Sequence, residues 1–263
     1  VCEAPSDPAA FSGKDSCGSA FSFGLQKYII KSIKFGKVSP DVEHFLSKLP
    51  VAEMGTILAN HDSFAGSRLM KQFANNEKEY RLATATLLTL PGIPFIYYGE
   101  EIGMDVSQSG YEDQEIRGPM SWSNERKGAG FSVPKKNIFR TLADNFETNN
   151  VEAQEKDPAS LLNFYRALIA LRKAEPALQT GNYVRVPFAD QSLFAFTRNL
   201  NGQSLLVLLN YSEKPITANL KLDKTLNGSL AAVYPTTEKE LNAKKGAVKI
   251  SLPASGFAVY RLK

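Results

Sequence analysis

Asn60, His61 and Asp62 stand together directly after an apolar run at residues 55–59. An amide, an imidazole and a carboxylate at a strand end are groups that bind hydroxyls and handle protons. In parallel α/β barrels the carboxyl ends of the strands carry the active site. The same triplet can instead simply cap a turn. Glu100 and Glu101 follow the next apolar run, at residues 93–98. Paired carboxylates there could bind a metal, but capping and salt-bridging is the better reading, so they are taken as structural. Arg68 could reach a cleft carboxylate or a ligand hydroxyl, or lie on the surface. Trp122 and Tyr98 offer aromatic faces on which a ligand ring could stack, with core packing the better expectation for Tyr98. Glu3, taken alone, reads as a solvated residue. Cys2 beside it would need a base to act as a nucleophile. His44 falls within a predicted helix and no oxyanion motif is visible, so thiol chemistry is rejected.

The elements that must position these groups alternate strand and helix. Residues 19–23 read as a short strand, and Leu25, Tyr28, Ile29 and Ile33 recur at helical spacing until Gly36. Ser39-Pro40-Asp41 starts a second helix with Val42, Phe45, Leu46 and Leu49 as its stripe. After the strand at 55–60, Asn76 with Glu79 three residues on predicts a helix start, and Pro91-Gly92 its end. Residues 93–98 form the next strand. Residues 105–156 are a polar, Gly-rich connection far longer than usual strand-to-helix links, hence functional or disordered. Asp157-Pro158 predicts the start of a strong helix that Pro176 closes. Beyond Gly181 the apolar period becomes two, over 193–197, 204–209, 216–222, 230–234, 248–252 and 257–262, with Asn201-Gly202 and Asn227-Gly228 as turn signals.

The expected architecture is therefore α/β followed by all-β. Residues 1–180 would be part of a parallel barrel, because so few strands with two apolar faces make too small a sheet alone. Residues 181–263 would be an antiparallel β-sandwich.

The chain has 263 residues, 31 basic and 27 acidic, and its formal charge of +4 is spread along the sequence. That distribution gives no support to nucleic-acid binding. No apolar run approaches a membrane span, and the first residues do not resemble a signal peptide. Ten Tyr and sixteen Phe could supply platforms for a neutral ligand. Cys2 and Cys17 would close a loop of ordinary disulfide size, with two buried thiols as the alternative. Two thiols without nearby His do not make a zinc site.

Three segments carry a family resemblance. Ile57-Leu58-Ala59-Asn60-His61-Asp62 and Leu90-Pro91-Gly92-Ile93-Pro94-Phe95-Ile96-Tyr97-Tyr98-Gly99-Glu100-Glu101-Ile102-Gly103-Met104 look like the seventh strand and the eighth strand of α-amylase-family glycoside hydrolases (family 13). Ile116-Arg117-Gly118-Pro119-Met120-Ser121-Trp122 resembles a further family segment, which usually has Thr in place of Gly118. Val1-Cys2-Glu3-Ala4 resembles the end of the fifth strand.

The resemblance implies a partial TIM barrel, from the end of strand 5 to helix 8, and assigns roles. Glu3 would be the general acid/base, in a partly desolvated site that keeps its proton near neutrality. Asp62 would favour the oxocarbenium-like transition state by differential binding. His61 would bond a sugar hydroxyl, Asn60 would shape the strand end beside it, and Arg68, Arg117 and Trp122 complete the substrate-binding candidates. The family nucleophile, an Asp two residues after an Arg on the fourth strand, has no Arg-x-Asp counterpart anywhere in these 263 residues.

The implied parent enzyme acts on α-glucosidic bonds of starch-like glucans or maltooligosaccharides, while this chain alone is expected to be inactive. Transglycosylation and a noncatalytic sugar-binding or partner protein are the alternatives. Calcium is possible for the parent, with no convincing calcium-binding loop here. Self-association through open barrel edges is expected. Extracytoplasmic placement, periplasmic or secreted, is favoured over a cytoplasmic one.

Overall fold

The computed structural model of the chain describes residues 1–108, 111–133, 138–224 and 227–262. Its N-terminal part is organised around four short extended segments joined edge to edge. Cys2 pairs with Ala20 and Phe21 with Gly55, both in parallel. β1 (Gly55–Thr56) then pairs in parallel with β2 (Ile93–Pro94). Continuous hydrogen bonds run through the set: Phe21 N to Cys2 O at 3.0 Å, Ser22 N to Gly55 O at 2.8 Å, and Phe95 N to Thr56 O at 2.8 Å. Glu3, residues 22–23, Asn60-His61-Asp62 and Tyr97-Tyr98 therefore all follow the strand ends on one side.

The helices form where the apolar periodicity placed them. α1 (Leu25–Lys34) buries Leu25, Ile29, Ile30 and Ile33, and ends before Gly36, whose φ is 64°. α2 (Pro40–Lys48) is capped by Ser39, whose Oγ accepts from Asp41 N. After α3 (Leu69–Gln72), α4 (Glu77–Thr89) is capped by Asn76, which accepts from the amides of Lys78 and Glu79. Gly92 follows α4 at φ 106°, where an added Cβ would lie 2.6 Å from Thr56 Cγ2. Only glycine lets the chain pass that close to β1.

The connection after residue 105 holds two short helices, α5 (Asp113–Ile116) and α6 (Val151–Glu155). The next helix, α7 (Leu161–Ala174), starts later than Asp157-Pro158 suggested, because Ser160 rather than Asp157 caps it, accepting from Asn163 N. α8 (Pro176–Thr180) begins at the proline that ends α7.

Two arginines close the carboxyl end of α4. Arg172 donates to the carbonyls of Leu88, Leu90 and Gly92, and Arg198 to those of Thr89 and Gly181. The last carbonyls of a helix lack intrahelical partners, and the guanidinium groups supply them in a buried setting.

The C-terminal part is one antiparallel sheet of eight strands: β3 (Asn182–Arg185), β4 (Leu193–Leu200), β5 (Gln203–Asn210), β6 (Ile216–Lys221), β7 (Gly228–Tyr234), β8 (Leu241–Lys244), β9 (Ala247–Leu252) and β10 (Phe257–Leu262). Their order is 3-4-5-10-7-8-9-6. Hydrogen bonding thus runs continuously, where the sequence suggested two stacked sheets. The sheet has two apolar faces. Phe194, Phe196, Leu205, Val207 and Leu209 join the helical core of α1, α4 and α7. Leu193, Ala195, Leu206 and Leu208 share a second cluster with Ile216, Leu220, Val248 and Ile250 from the far strands, so the sheet wraps onto itself. Asn201-Gly202 makes the β4–β5 turn with both residues at positive φ, whereas Gly228 opens β7 instead of turning a hairpin.

The parallel strands are less enclosed than their two apolar faces implied. Ile93 and Phe95 are 51% and 38% exposed. Among the described residues no strand lies on the outer side of β2 to cover them. The parallel ladder ends at Thr56 and Pro94, well short of the expected strands at 55–60 and 93–98.

Candidate active site

Glu3, His61 and Asp62 converge. One ligand atom from each lies within 4.8 Å of the others, although Glu3 comes from the first strand end and the other two from the third. The parallel pairing produces this meeting: Cys2 is held to Ala20, and Phe21 to Gly55, so the ends that follow must adjoin. A disulfide between Cys2 and Cys17 fixes the residue beside Glu3, which settles the sequence alternative in favour of the bridge.

Asp62 is held from three directions. Its backbone amide donates to Asn60 Oδ1 at 2.8 Å. Arg117 Nη2 lies 2.7 Å from its Oδ1, and His61 Nε2 lies 3.5 Å from the same oxygen. Arg117 also donates through Nε to His61 O at 2.7 Å and pairs with Asp113 at 2.8 Å. Asp113 in turn accepts from Ser63 N, and this bond, with Arg117 close by, holds its carboxyl below the usual range. Arg117, from the long connection, thus clamps the strand end bearing His61 and Asp62. Asp113 is a member of this clamp that the sequence reading missed; its i, i+4 spacing to Arg117 on a short helix was the available signal.

Other candidates fall elsewhere. Asn60 is buried, with its Oδ1 turned back to the Asp62 amide. Arg68 is 1% exposed, which removes the surface alternative and any direct ligand contact in this arrangement. Its guanidinium lies 4.4 Å from the Tyr97 ring centre and 4.6 Å from that of Tyr98, and Nη1 donates to Tyr98 O. Arg68 sits beneath the site and packs its floor. Glu3 is exposed, so the enclosure expected around it is not supplied by these residues.

Trp122 is 49% exposed and Tyr98 38%, the latter contrary to the core position expected for it. Both line an apolar cavity of about 700 Å³ with Met120 and Phe139, and Arg117 stands at its edge. Tyr98 is fixed there by donating to Gly118 O at 2.6 Å. A Cβ on Gly118 would come within 3.2 Å of Thr141 O, so the packing here accommodates the small residue closely.

A hard cation is poorly served by the Glu3, His61 and Asp62 cluster. Calcium takes six to eight oxygen ligands. The cluster offers two carboxylates and an imidazole, and the Arg117 cation already occupies Asp62. Hydroxyl recognition suits the set better, because carboxylate, imidazole and guanidinium together offer acceptors and donors.

Residues 18–181 match the family model described as "Alpha amylase, catalytic domain". The chain belongs to the alpha-amylase family. It is 30% identical over 292 residues to the trehalose synthase/amylase TreS of Mycobacterium tuberculosis, covering 95% of this chain and 48% of that protein. It is 34% identical over 167 residues to alpha-amylase 3 of Dictyoglomus thermophilum, covering 62% and 31%. The solved alpha-amylase of H. orenii superposes with a TM-score of 0.76 at 25% identity, covering 100% of this chain and 52% of that one. The chain thus spans about half or less of these family members.

Proposed function

We propose that this chain supplies part of the active site of a retaining glycoside hydrolase acting on α-glucosidic bonds of starch-like glucans or maltooligosaccharides. The observation that carries the reading is the convergence of Glu3, His61 and Asp62 at adjoining strand ends. Residues 1–180 correspond in this reading to the last strands of a TIM barrel and residues 181–263 to its β-sandwich partner. The consecutive parallel pairings and the separate antiparallel sheet support that division.

Glu3 protonates the leaving glycosidic oxygen and then, as carboxylate, takes a proton from the incoming water. Asp62, aimed by Asn60 and Arg117, binds ring hydroxyls more tightly as the sugar flattens toward the oxocarbenium-like state, which lowers the barrier through differential binding. His61 bonds a neighbouring hydroxyl, and Trp122 offers a stacking face.

The attacking carboxylate comes from residues outside this chain, since no Arg-x-Asp segment occurs in it. The chain alone is therefore inactive, and calcium, if the whole protein holds it, is bound by oxygen ligands elsewhere. Apolar exposure at Ile93 and Phe95 favours self-association of the isolated chain. The disulfide favours an extracytoplasmic setting, where such bonds persist. No helix of the described residues is long and apolar enough to cross a membrane.

Transfer to a second sugar is the alternative within the same site, because water or a sugar hydroxyl can resolve the intermediate. Product analysis of the full-length protein on maltotriose separates the readings. Shorter products alone support hydrolysis, longer ones show transfer, and no products with retained binding point to a noncatalytic sugar-binding protein.

A further inference from the structure

Residues 3–18 lead from the first strand end back toward the second, and little ties them down besides the bond between Cys2 and Cys17. Among the described residues, the hydrogen bonds of this segment stay inside it. Ala10 N donates to Asp7 Oδ1 at 3.1 Å, Ser12 Oγ to Pro8 O at 2.8 Å, and Gly18 N to Gly13 O at 2.9 Å. Most of its side chains are exposed, with Ala4 and Ser12 the buried exceptions. Cys2 is gripped twice by the far end of the segment. The disulfide joins it to Cys17 across Cα atoms 5.9 Å apart, and its amide donates to Ser19 O at 2.8 Å. Glu3 is the next residue and is exposed. Among the described residues no hydrogen bond or ion pair anchors its side chain, although a carboxylate oxygen lies within 4.8 Å of ligand atoms of His61 and Asp62. Asp62, by contrast, is fastened independently by Asn60 and Arg117.

We propose that Cys2 and Cys17 are positioning residues for Glu3, and that reducing their bond selectively weakens proton donation to the leaving oxygen. The inference rests on reading Glu3 as the acid. Proton transfer needs hydrogen-bond reach, and a misplacement of about 1 Å can cost about 100-fold in rate. A cross-link one residue away removes most of the freedom that would allow such a shift. Sugar binding at Asp62 does not depend on the cross-link, so reduction separates the two functions. Cys17 is exposed and Cys2 half-buried, which directs a dithiol reductant to the Cys17 sulfur. Its thiolate attacks Cys17 Sγ, the bond between the two sulfurs breaks, and Cys2 leaves as a thiolate that takes up a proton. The second thiol of the reductant then displaces Cys17. Two electrons and two protons have passed, leaving two cysteine thiols and the reductant as its own disulfide, and reoxidation reverses the change.

The experiment compares the oxidised full-length protein with the same protein reduced by dithiothreitol and with its Cys17→Ser variant. Turnover is measured on an alkyl maltoside, whose leaving group needs a proton, and on a nitrophenyl maltoside, whose leaving group does not. Thiol titration verifies the reduction and circular dichroism the fold. Reduction is expected to lower kcat on the alkyl maltoside at least about tenfold, to lower the bond-breaking step on the nitrophenyl maltoside much less, and to leave KM nearly unchanged. Cys17→Ser shows the same pattern, and reoxidation restores the unaltered protein. Equal losses on both substrates overturn the proposal, because they mark a bond that supports the fold and not the acid. Unchanged turnover after verified reduction overturns it as well, and so does global unfolding of the reduced protein. Glu3→Gln in the oxidised protein keeps the two failures apart. If that variant loses the alkyl maltoside selectively while reduction does not, only the positioning role falls. If the oxidised protein cleaves neither substrate, the sugar-cleaving reading falls and takes the inference with it.

Discussion

Arg117 Nη2 lies 2.7 Å from Asp62 Oδ1, and through its Nε the same guanidinium holds the carbonyl of His61. A residue of the long connection is thereby fastened to the strand end that carries the candidate chemistry. Both side chains are partly open to solvent, so their pairing adds little to stability. Replacing Arg117 with Ala is expected to leave the melting temperature nearly unchanged while weakening maltotriose binding by the full-length protein about tenfold, the loss of roughly one charge-assisted hydrogen bond. Calorimetric titration checks this, and unchanged affinity would show that the clamp has no part in binding.

The ionisation of Glu100 sets a pH dependence of stability. Its folded value near 8 lies above the ordinary 4.5, with burial as the main cause. Between these values the folded chain holds a proton that the unfolded chain has released. Stability therefore falls as pH rises from 4.5 to about 8 and levels off above it, with a limiting slope of about 1.4 kcal/mol per pH unit. Glu79, Glu101 and Asp105 shift in the same direction through desolvation, so the diagnostic quantity is the difference from Glu100→Gln. Urea unfolding across this range should give a shallower slope for the variant, and parallel slopes would contradict the account.

Arg172 replaced by Ala leaves the carbonyls of Leu88, Leu90 and Gly92 without their buried donor. A cost of about 3 kcal/mol in chemical denaturation is expected. Gly92→Ala forces a Cβ against Thr56 at a backbone angle unsuited to alanine, and should cost about 1–3 kcal/mol. A loss below about 0.5 kcal/mol in either variant, typical of an unconstrained surface position, would show that the contact is not needed.

Reducing the bond between Cys2 and Cys17 releases a loop with a sequence separation of 15, and a loss of about 3 kcal/mol is expected. Because Cys2 adjoins Glu3, reduction should also disorder the first strand end. Hydrogen exchange at Phe21 N, which donates to Cys2 O, reports this locally. Protection unchanged by reduction would show that strand pairing alone holds the segment.

Much of this arrangement was legible from local signals. Ser39 and Asn76 cap their helices as their side-chain oxygens dictate, and Asn201-Gly202 turns its hairpin. Ser160 displaced Asp157 as a cap because both are competent and the packing of α7 decided between them. β3 and β8 escaped notice because each is only four residues long, with two apolar residues apiece. The convergence of Glu3 with Asp62 depends on strand order, which periodicity does not encode; only the family resemblance brought it forward. Glu100 read as a capping or salt-bridging acid because its sequence neighbours are apolar and Glu101 stands beside it. Its burial depends on packing between segments distant in sequence, including Tyr80 of α4, whose Oη donates to the Glu100 carbonyl.

The central claim is that Glu3 and Asp62 serve one glycosidic cleavage, and turnover of two maltosides by the full-length protein and its Glu3→Gln and Asp62→Asn variants tests it. One maltoside carries an alkyl leaving group and the other a nitrophenyl group that needs no protonation to depart. Asp62→Asn should lose activity on both. Glu3→Gln should lose about 100- to 10,000-fold on the alkyl maltoside and markedly less on the nitrophenyl one in the bond-breaking step. Equal losses on both substrates in that step would contradict Glu3 as the acid, and near-normal turnover by either variant would contradict the site itself.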